Sequence, residues 1–247
     1  MKLIGKIQHP NLVRLIGYCE TKRNWILVYE YMPNGSLKDH LSVKSNTPLS
    51  WDRRLKIARD AATGLLHLHS GLHQRIIFGN FKPSNILLDS HMNAKLSDFG
   101  FSNESPQEGG TNVSTSVVGY AAPEYVKSGH LTSKIDIWSF GVFLEELITG
   151  GRPLTQENSE KNPECLTWVC CYAGARKSID PRLEGEYSEN SMRMVASVAN
   201  KCLANDPELR PGMTEVLKLL KEAIALETKK NQLLKSKCWP DLATHVC

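Results

Sequence analysis

The chain has 247 residues, 41% of them hydrophobic and 23% charged, and 30 basic against 26 acidic side chains leave a net charge of +4. That balance excludes a disordered or collagen-like chain and leaves room for one good-sized core or two small ones. So small and evenly spread an excess of positive charge gives no argument for a nucleic-acid surface, and nucleic acid is not expected as a partner.

The first residues form no signal peptide, because Lys6, His9, Pro10 and Arg14 interrupt the apolar region such a segment needs. Lys2 stands where a myristoylation signal requires glycine. The most apolar stretch, Ile137 to Leu144, is far short of a membrane span and is closed by Glu145 and Glu146. The cysteines at 19, 165, 170, 171, 202, 238 and 247 are odd in number and form no Cys-x-x-Cys pair. They are expected to be reduced thiols in a soluble cytoplasmic protein.

Residues 12–18 and 25–31 are runs rich in β-branched and aromatic side chains, separated by the polar Glu20 to Asn24, and they predict an antiparallel strand pair. Pro33-Asn34-Gly35-Ser36 breaks the pattern with turn chemistry and marks a boundary after which helices dominate. Ser50 is placed to cap a helix carrying Trp51, Leu55, Ala58, Ala62, Leu65 and Leu68 on one face and ending near His69. His67 and His69, at that helix end, are expected to pack or cap. Ile76-Ile77 and Asn85 to Leu88 are strand-like runs around a polar loop, and Lys95-Leu96-Ser97 leads into Asp98-Phe99-Gly100. An irregular segment follows to about Gly119. Its Ser114, Thr115 and Ser116 are candidate phosphorylation acceptors. Ser133 opens a mostly apolar helix to about Thr149, the pattern of a helix buried inside a lobe. Further helices are marked by Met194, Val195, Val198, Cys202 and Leu203, and by Val216, Leu217, Leu220, Ala223 and Ile224. Cys170-Cys171 belongs to an apolar run, and Lys229, Lys230, Lys235 and Lys237 make a basic tail. Strands first and a larger helical block after predict an α+β fold in two unequal lobes.

Short motifs occur in one order: His9-Pro10-Asn11-Leu12-Val13, Leu27-Val28-Tyr29-Glu30-Tyr31, Phe81-Lys82-Pro83-Ser84-Asn85, Asp98-Phe99-Gly100, Ala122-Pro123-Glu124, Asp136-Ile137-Trp138-Ser139-Phe140-Gly141 and Arg210-Pro211. Together they resemble a protein kinase, and their wording is most similar to the plant receptor-like cytoplasmic kinases of the interleukin-receptor-associated-kinase and Pelle class of serine/threonine kinases. The resemblance runs from residue 1 to about residue 226. It implies a residual N-lobe over 1–32 with the end of the family's C-helix, two strands and a hinge; a C-lobe over 33–227; and a basic tail over 228–247.

Kinases position a hydroxyl against the γ-phosphate of ATP and neutralise charge with Mg²⁺. The resemblance places Asn85 and Asp98 at the metal-holding positions, with side-chain oxygens that suit a hard cation. It places Lys82 at the γ-phosphate, Glu30 and Met32 in the hinge whose backbone holds adenine, Tyr29 at the gatekeeper position and Leu87 beneath the adenine. Glu124 and Arg210 match the pair that ties the activation segment to the C-lobe. Asp136 matches the residue that holds the catalytic loop by its backbone. Ile4, Leu15, Phe78 and Phe99 match the apolar column joining the lobes, and Gly100 completes its Asp-Phe-Gly motif.

The departures fall at the chemistry. The catalytic loop has Phe78-Gly79-Asn80 where the family has a His-Arg-Asp triplet. Asn80 takes the place of the aspartate that accepts the substrate proton; a carboxamide is neutral, so general-base help worth about 100- to 10000-fold is lost. Gly79 takes the place of the arginine that faces a phosphorylated activation segment. Aligned on His9-Pro10, the chain begins one residue after the C-helix glutamate. That glutamate, its strand lysine and the glycine-rich loop are not among its residues, and ATP and Mg²⁺ are expected to find only the floor of their site. The stretch Val117 to Glu124 is about three residues shorter than the pattern of the family. The stretch after Trp168, Val169 to Gly174, is also shortened, which alters a common docking surface.

Three readings follow. One is a pseudokinase acting as scaffold, regulator or decoy beside receptor kinases or related kinases in plant defence, with no transmembrane segment of its own and reaching the plasma membrane through partners. The second is an active serine/threonine kinase of which this is an incomplete chain, and the third is a decayed copy. An incomplete chain does not by itself account for Asn80 and Gly79, which are internal substitutions, and the first reading is preferred. Without further N-lobe strands the 12–31 hairpin is expected to show two open edges and a bare apolar face, a surface for a partner.

Overall fold

A computed structural model describes residues 7–21, 25–42, 48–73, 75–99, 119–151 and 179–237. Ile4, Gly100, Ser114, Thr115, Ser116, Val117, Val118 and the 165–174 stretch with Cys170-Cys171 lie outside the described residues.

Strands β1 (Leu15–Glu20) and β2 (Trp25–Tyr29) pair antiparallel, with the register irregular between Leu15 and Gly17. The strand begins later than the apolar run from Leu12 suggests, because Leu12 and Val13 pair instead with Leu96, across the chain. Ile16, Tyr18, Ile26 and Val28 are exposed. Among the described residues β1 and β2 pair only with each other, so the hairpin has an uncovered apolar surface.

Past the turn at Pro33–Gly35, a short helix α1 (Leu37–Leu41) is capped by Ser36 and Asp39, whose side chains bond within the first turn. Helix α2 (Trp51–Ser70) starts at Ser50, whose hydroxyl accepts the N–H of Arg53. Its apolar face buries Trp51, Leu55, Ala58, Ala62, Leu65 and Leu68. Ile76-Ile77 forms no strand: Ile76 donates its N–H to Leu68 O at 2.9 Å and is taken up in closing the helix end. Strands β3 (Ile86–Leu88) and β4 (Ala94–Leu96) form a second antiparallel pair.

Helix α3 (Pro123–Ser128) begins with proline, which suits a first-turn position because its missing N–H has no acceptor there. Helix α4 (Ser133–Thr149) is buried along nearly its whole length. Helices α5 (Glu189–Cys202) and α6 (Met213–Lys237) close the helical lobe, and α6 runs across residue 228 and takes up the start of the basic tail. The Trp51 indole N–H donates to Ser191 Oγ at 3.1 Å, joining α2 to α5 in the core. Cys202 lies in that core, and burial pushes its thiol up to about 12, whereas Cys19 is exposed. Among the described residues no helix is long and apolar enough to cross a membrane. A small, partly exposed β layer on a helical body is the α+β arrangement the element order predicts.

Candidate active site

The loop between α2 and β3 carries Phe78 to Asn85, and its position is fixed from below by α4. Asp136, 1% exposed, accepts the N–H of Phe78 and of Gly79 at 2.8 Å each, and His69 Nε2 lies 2.7 Å from the same carboxylate. Phe81 packs among Phe78, Phe140 and Phe143, with ring centroids 5.5 to 5.7 Å away. Side-chain acceptor and aromatic packing together leave the loop little freedom.

Within it, Asn85 is buried and donates its side-chain amide to the main-chain carbonyl of Asn80 at 2.9 Å. Its own carbonyl accepts both the N–H and the hydroxyl of Ser97, the residue before Asp98. With the amide nitrogen engaged, Oδ1, which accepts the Ser84 hydroxyl at 3.5 Å, is the Asn85 atom with a lone pair for a cation. Asp98 is exposed and sits at φ +57, a left-handed conformation that strains a residue with a side chain. Two hard oxygen donors of this kind fit Mg²⁺, which keeps waters and phosphate oxygens in its remaining positions.

The charge of Asp98 reaches its neighbours. Burial pushes the Tyr29 phenol above its ordinary value and Asp98 pushes it the same way. Burial lowers Lys82, Asp98 works against that shift, and Lys38 adds to it. Tyr29, Lys82 and Asp98 therefore share one electrostatic environment.

Asn80 is the odd member. Its Oδ1 is buried and has no hydrogen-bond partner. Beside it, Gly79 sits at φ +70. A side chain there would be strained by about 1 to 2 kcal/mol, so glycine relaxes a backbone that an arginine would have to hold under strain.

On the hinge side, Glu30 accepts Lys95 Nζ through both oxygens at 2.9 Å and the N–H of Arg14 at 2.8 Å. Burial raises its pKa and these bonds outweigh burial, leaving it below the ordinary carboxylate value. The Glu30 side chain is thus a brace between the hairpin and β4, and only its backbone faces the role expected of the hinge. Met32 is buried and its carbonyl accepts the N–H of Gly35, while Leu87 is half-buried in the middle of β3. Phe78 and Phe99 are buried in the same core and Leu15 is half-buried.

The scaffold beyond the loop is built on ion pairs. Arg210, 2% exposed, meets both oxygens of Glu124 at 2.5 and 2.8 Å, and also donates to Ala204 O and Lys134 O. Its guanidinium lies 5.0 Å from the Trp138 ring centroid. Ser139 donates to Tyr120 O at 2.7 Å, and the Tyr120 hydroxyl donates to Glu146. A second buried network escaped the motif reading: Arg54 on α2 pairs with Asp180 at 2.6 Å and donates to Leu49 O and Leu147 O. Arg182 binds the same carboxylate. The signal was present in the sequence, since Arg54 interrupts the apolar face of α2 one residue before Leu55.

A hairpin and hinge over a catalytic-type loop, with an acid and an amide presented beside it and an Arg–Glu pair beneath, define a protein kinase domain, and residues 1–219 match that family. The chain belongs to the protein kinase domain family. It is similar to serine/threonine-protein kinase PCRK1 of Arabidopsis thaliana, 48% identical over 235 residues that cover 91% of this chain and 56% of that protein. Serine/threonine-protein kinase PBL34 of the same plant is 46% identical over 228 residues, covering 90% of this chain and 46% of that protein. An EPD1-interacting receptor-like cytoplasmic serine/threonine-protein kinase, 5D of Gossypium barbadense, is 45% identical over 224 residues, covering 88% and 48%. The chain spans about half the length of the curated relatives it matches.

Proposed function

We propose that this chain is a pseudokinase, a kinase-like signalling module that does not transfer phosphate efficiently. It acts as scaffold, regulator or decoy beside receptor kinases or related kinases in plant defence signalling. Its place is the cytoplasm, with contact to the plasma membrane made through partners.

The observation that carries this reading is Asn80. A general base must bind a proton, and a carboxamide does not. The loop around it keeps its clamp from Asp136 and its internal bond from Asn85, so the loss is chemical and the scaffold stays. Gly79 points the same way, because it removes both a cation and the backbone strain of its position.

Where ATP and Mg²⁺ bind, Asn85 Oδ1 and the Asp98 carboxylate are the groups that would hold the metal, which supplies charge neutralisation on the phosphates. Lys82 would meet phosphate oxygen, and the backbone of Glu30 and Met32 would hold adenine above Leu87. None of these groups takes the proton from a substrate hydroxyl.

A second reading, a slow serine/threonine kinase of which these residues are a part, is favoured by one observation: Asp98 and Lys82 remain close enough for Asp98 to oppose the desolvation of the lysine. Phosphate transfer from Mg-ATP to a generic protein substrate that is lost in Asp98→Ala would overturn the first reading. The pseudokinase reading expects no transfer above the control.

A further inference from the structure

The segment 7–13 fastens the β1–β2 hairpin to the helical lobe. Ile7, Leu12 and Val13 are buried. Val13 donates its N–H to Leu96 O and Leu96 its N–H to Asn11 O, each at 2.9 Å, while Asn11 Nδ2 donates to Ala94 O at 3.0 Å. Helix α2 comes so close that a Cβ on Gly64 would lie 2.7 Å from Asn11 O.

Two imidazoles sit at the start of this seam. His9 stacks on His67 of α2, with ring centroids 4.6 Å apart and planes 20° from parallel. His9 Nδ1 accepts the N–H of Asn11 at 3.1 Å, which places the proton of the neutral ring on Nε2. Arg14, Glu30 and Lys95 line the same pocket as His9, of about 300 Å³. Lys95 and Glu30 neutralise one another, and Arg14 is the remaining charged residue of that pocket. His69, two residues along α2, is turned to Asp136 and takes no part.

We propose that the His9–His67 stack is a proton-sensitive joint: a proton added to His9 undocks the 7–13 segment, and with it the hairpin, from α2 and β4. The proton goes to Nδ1, which changes from acceptor to donor and then faces the Asn11 N–H, another donor. The new cation lies against the His67 ring, and the carboxylate lining the same pocket, Glu30, is already held by Lys95. Burial, and then His67, accordingly hold His9 below its ordinary value of 6.5. The hairpin leads directly into Glu30 and Met32, so acid loosens the hinge positions first and leaves the helical core in place.

The joint is tested on the full 247-residue chain by following the histidine ring signals and amide-exchange protection, corrected for intrinsic rates, from about pH 7.5 to about pH 5. His9 is expected to titrate below 6.5. Protection in β1 and β2 is expected to fall with that titration, about tenfold for each unit by which His9 lies below its ordinary value, while α5 and α6 amides hold. His67→Phe keeps a ring for the stack, raises the His9 pKa and shrinks the acid loss. Titration of wild-type His9 at or above 6.5, or hairpin protection unchanged through its titration, overturns the joint, and both are read without any variant.

Discussion

The Asn85 side-chain amide donates to the main-chain carbonyl of Asn80 at 2.9 Å, which fixes the loop from inside, while the Asn80 side-chain oxygen is buried with no partner. The main chain at position 80 is therefore held by a bond that does not involve its own side chain, and that side chain is a neutral carboxamide. Frame and chemistry at position 80 rest on different atoms of one residue, so a change of side chain leaves the frame in place.

Gly79, at φ +70, is expected to resist replacement. Gly79→Ala should destabilise the chain by about 1 to 2 kcal/mol in urea unfolding, since any Cβ is strained in that region. No change would mean that the loop relaxes out of the left-handed conformation.

Arg210 is buried and satisfied by four acceptor groups counting the two oxygens of Glu124. Arg210→Ala leaves Glu124 and two carbonyls without their donor and should cost about 3 to 5 kcal/mol. Glu124→Gln should cost less, because it removes no volume and leaves the guanidinium an amide oxygen and its two carbonyl acceptors. Equal small effects from both variants would show that the pair is a surface contact in solution.

Glu145, half-buried on α4, is pushed up by burial from an ordinary 4.5 to about 7. Its folded-state pKa is raised, so the stability it gives is full below about pH 4.5 and is lost as pH rises through about 7. Glu145→Gln should remove that loss, gaining up to about 3 kcal/mol over wild type at neutral pH and nothing near pH 4. The half-burial makes this an upper bound. The comparison with wild type at each pH matters, because His9, held below its ordinary value, slopes the other way, and Glu124, Asp180 and Glu30, held low, lose stability only in stronger acid.

Mg-ATP should raise the melting temperature of this 247-residue chain only slightly, since ligand stabilisation follows RT ln(1 + [L]/Kd) and these residues supply a floor with Leu87, Asn85 and Asp98 but no glycine-rich loop. A large saturable shift, lost in Asp98→Ala, would show that the floor binds nucleotide by itself.

Long elements with one clear period were legible in the sequence. The helix from Trp51 to Ser70 announces itself through Ser50 and an apolar residue every third or fourth position, and the helix from Ser133 to Thr149 through its continuous apolar run. Short elements such as Leu37–Leu41 and Pro123–Ser128 carry too few residues for a period to show. Ile76-Ile77 looked like a strand because β-branched residues fit a strand or a buried loop equally well, and its N–H goes back to Leu68. Within the site, motif order singled out Asn80, Asn85, Asp98, Glu124, Asp136 and Arg210. It could not find contacts between residues far apart in the chain with no shared motif: Glu30 with Lys95, Arg54 with Asp180, or His9 with His67. Those pairings exist only once β4 and α2 are packed against the hairpin segment and the 179–183 turn.

The central claim is that this chain does not transfer phosphate efficiently. It is tested by incubating the purified chain with labelled ATP, Mg²⁺ and a generic protein substrate beside the Asp98→Ala variant. The account predicts label incorporation indistinguishable between the two. Robust incorporation by the wild-type chain that disappears in Asp98→Ala would contradict it.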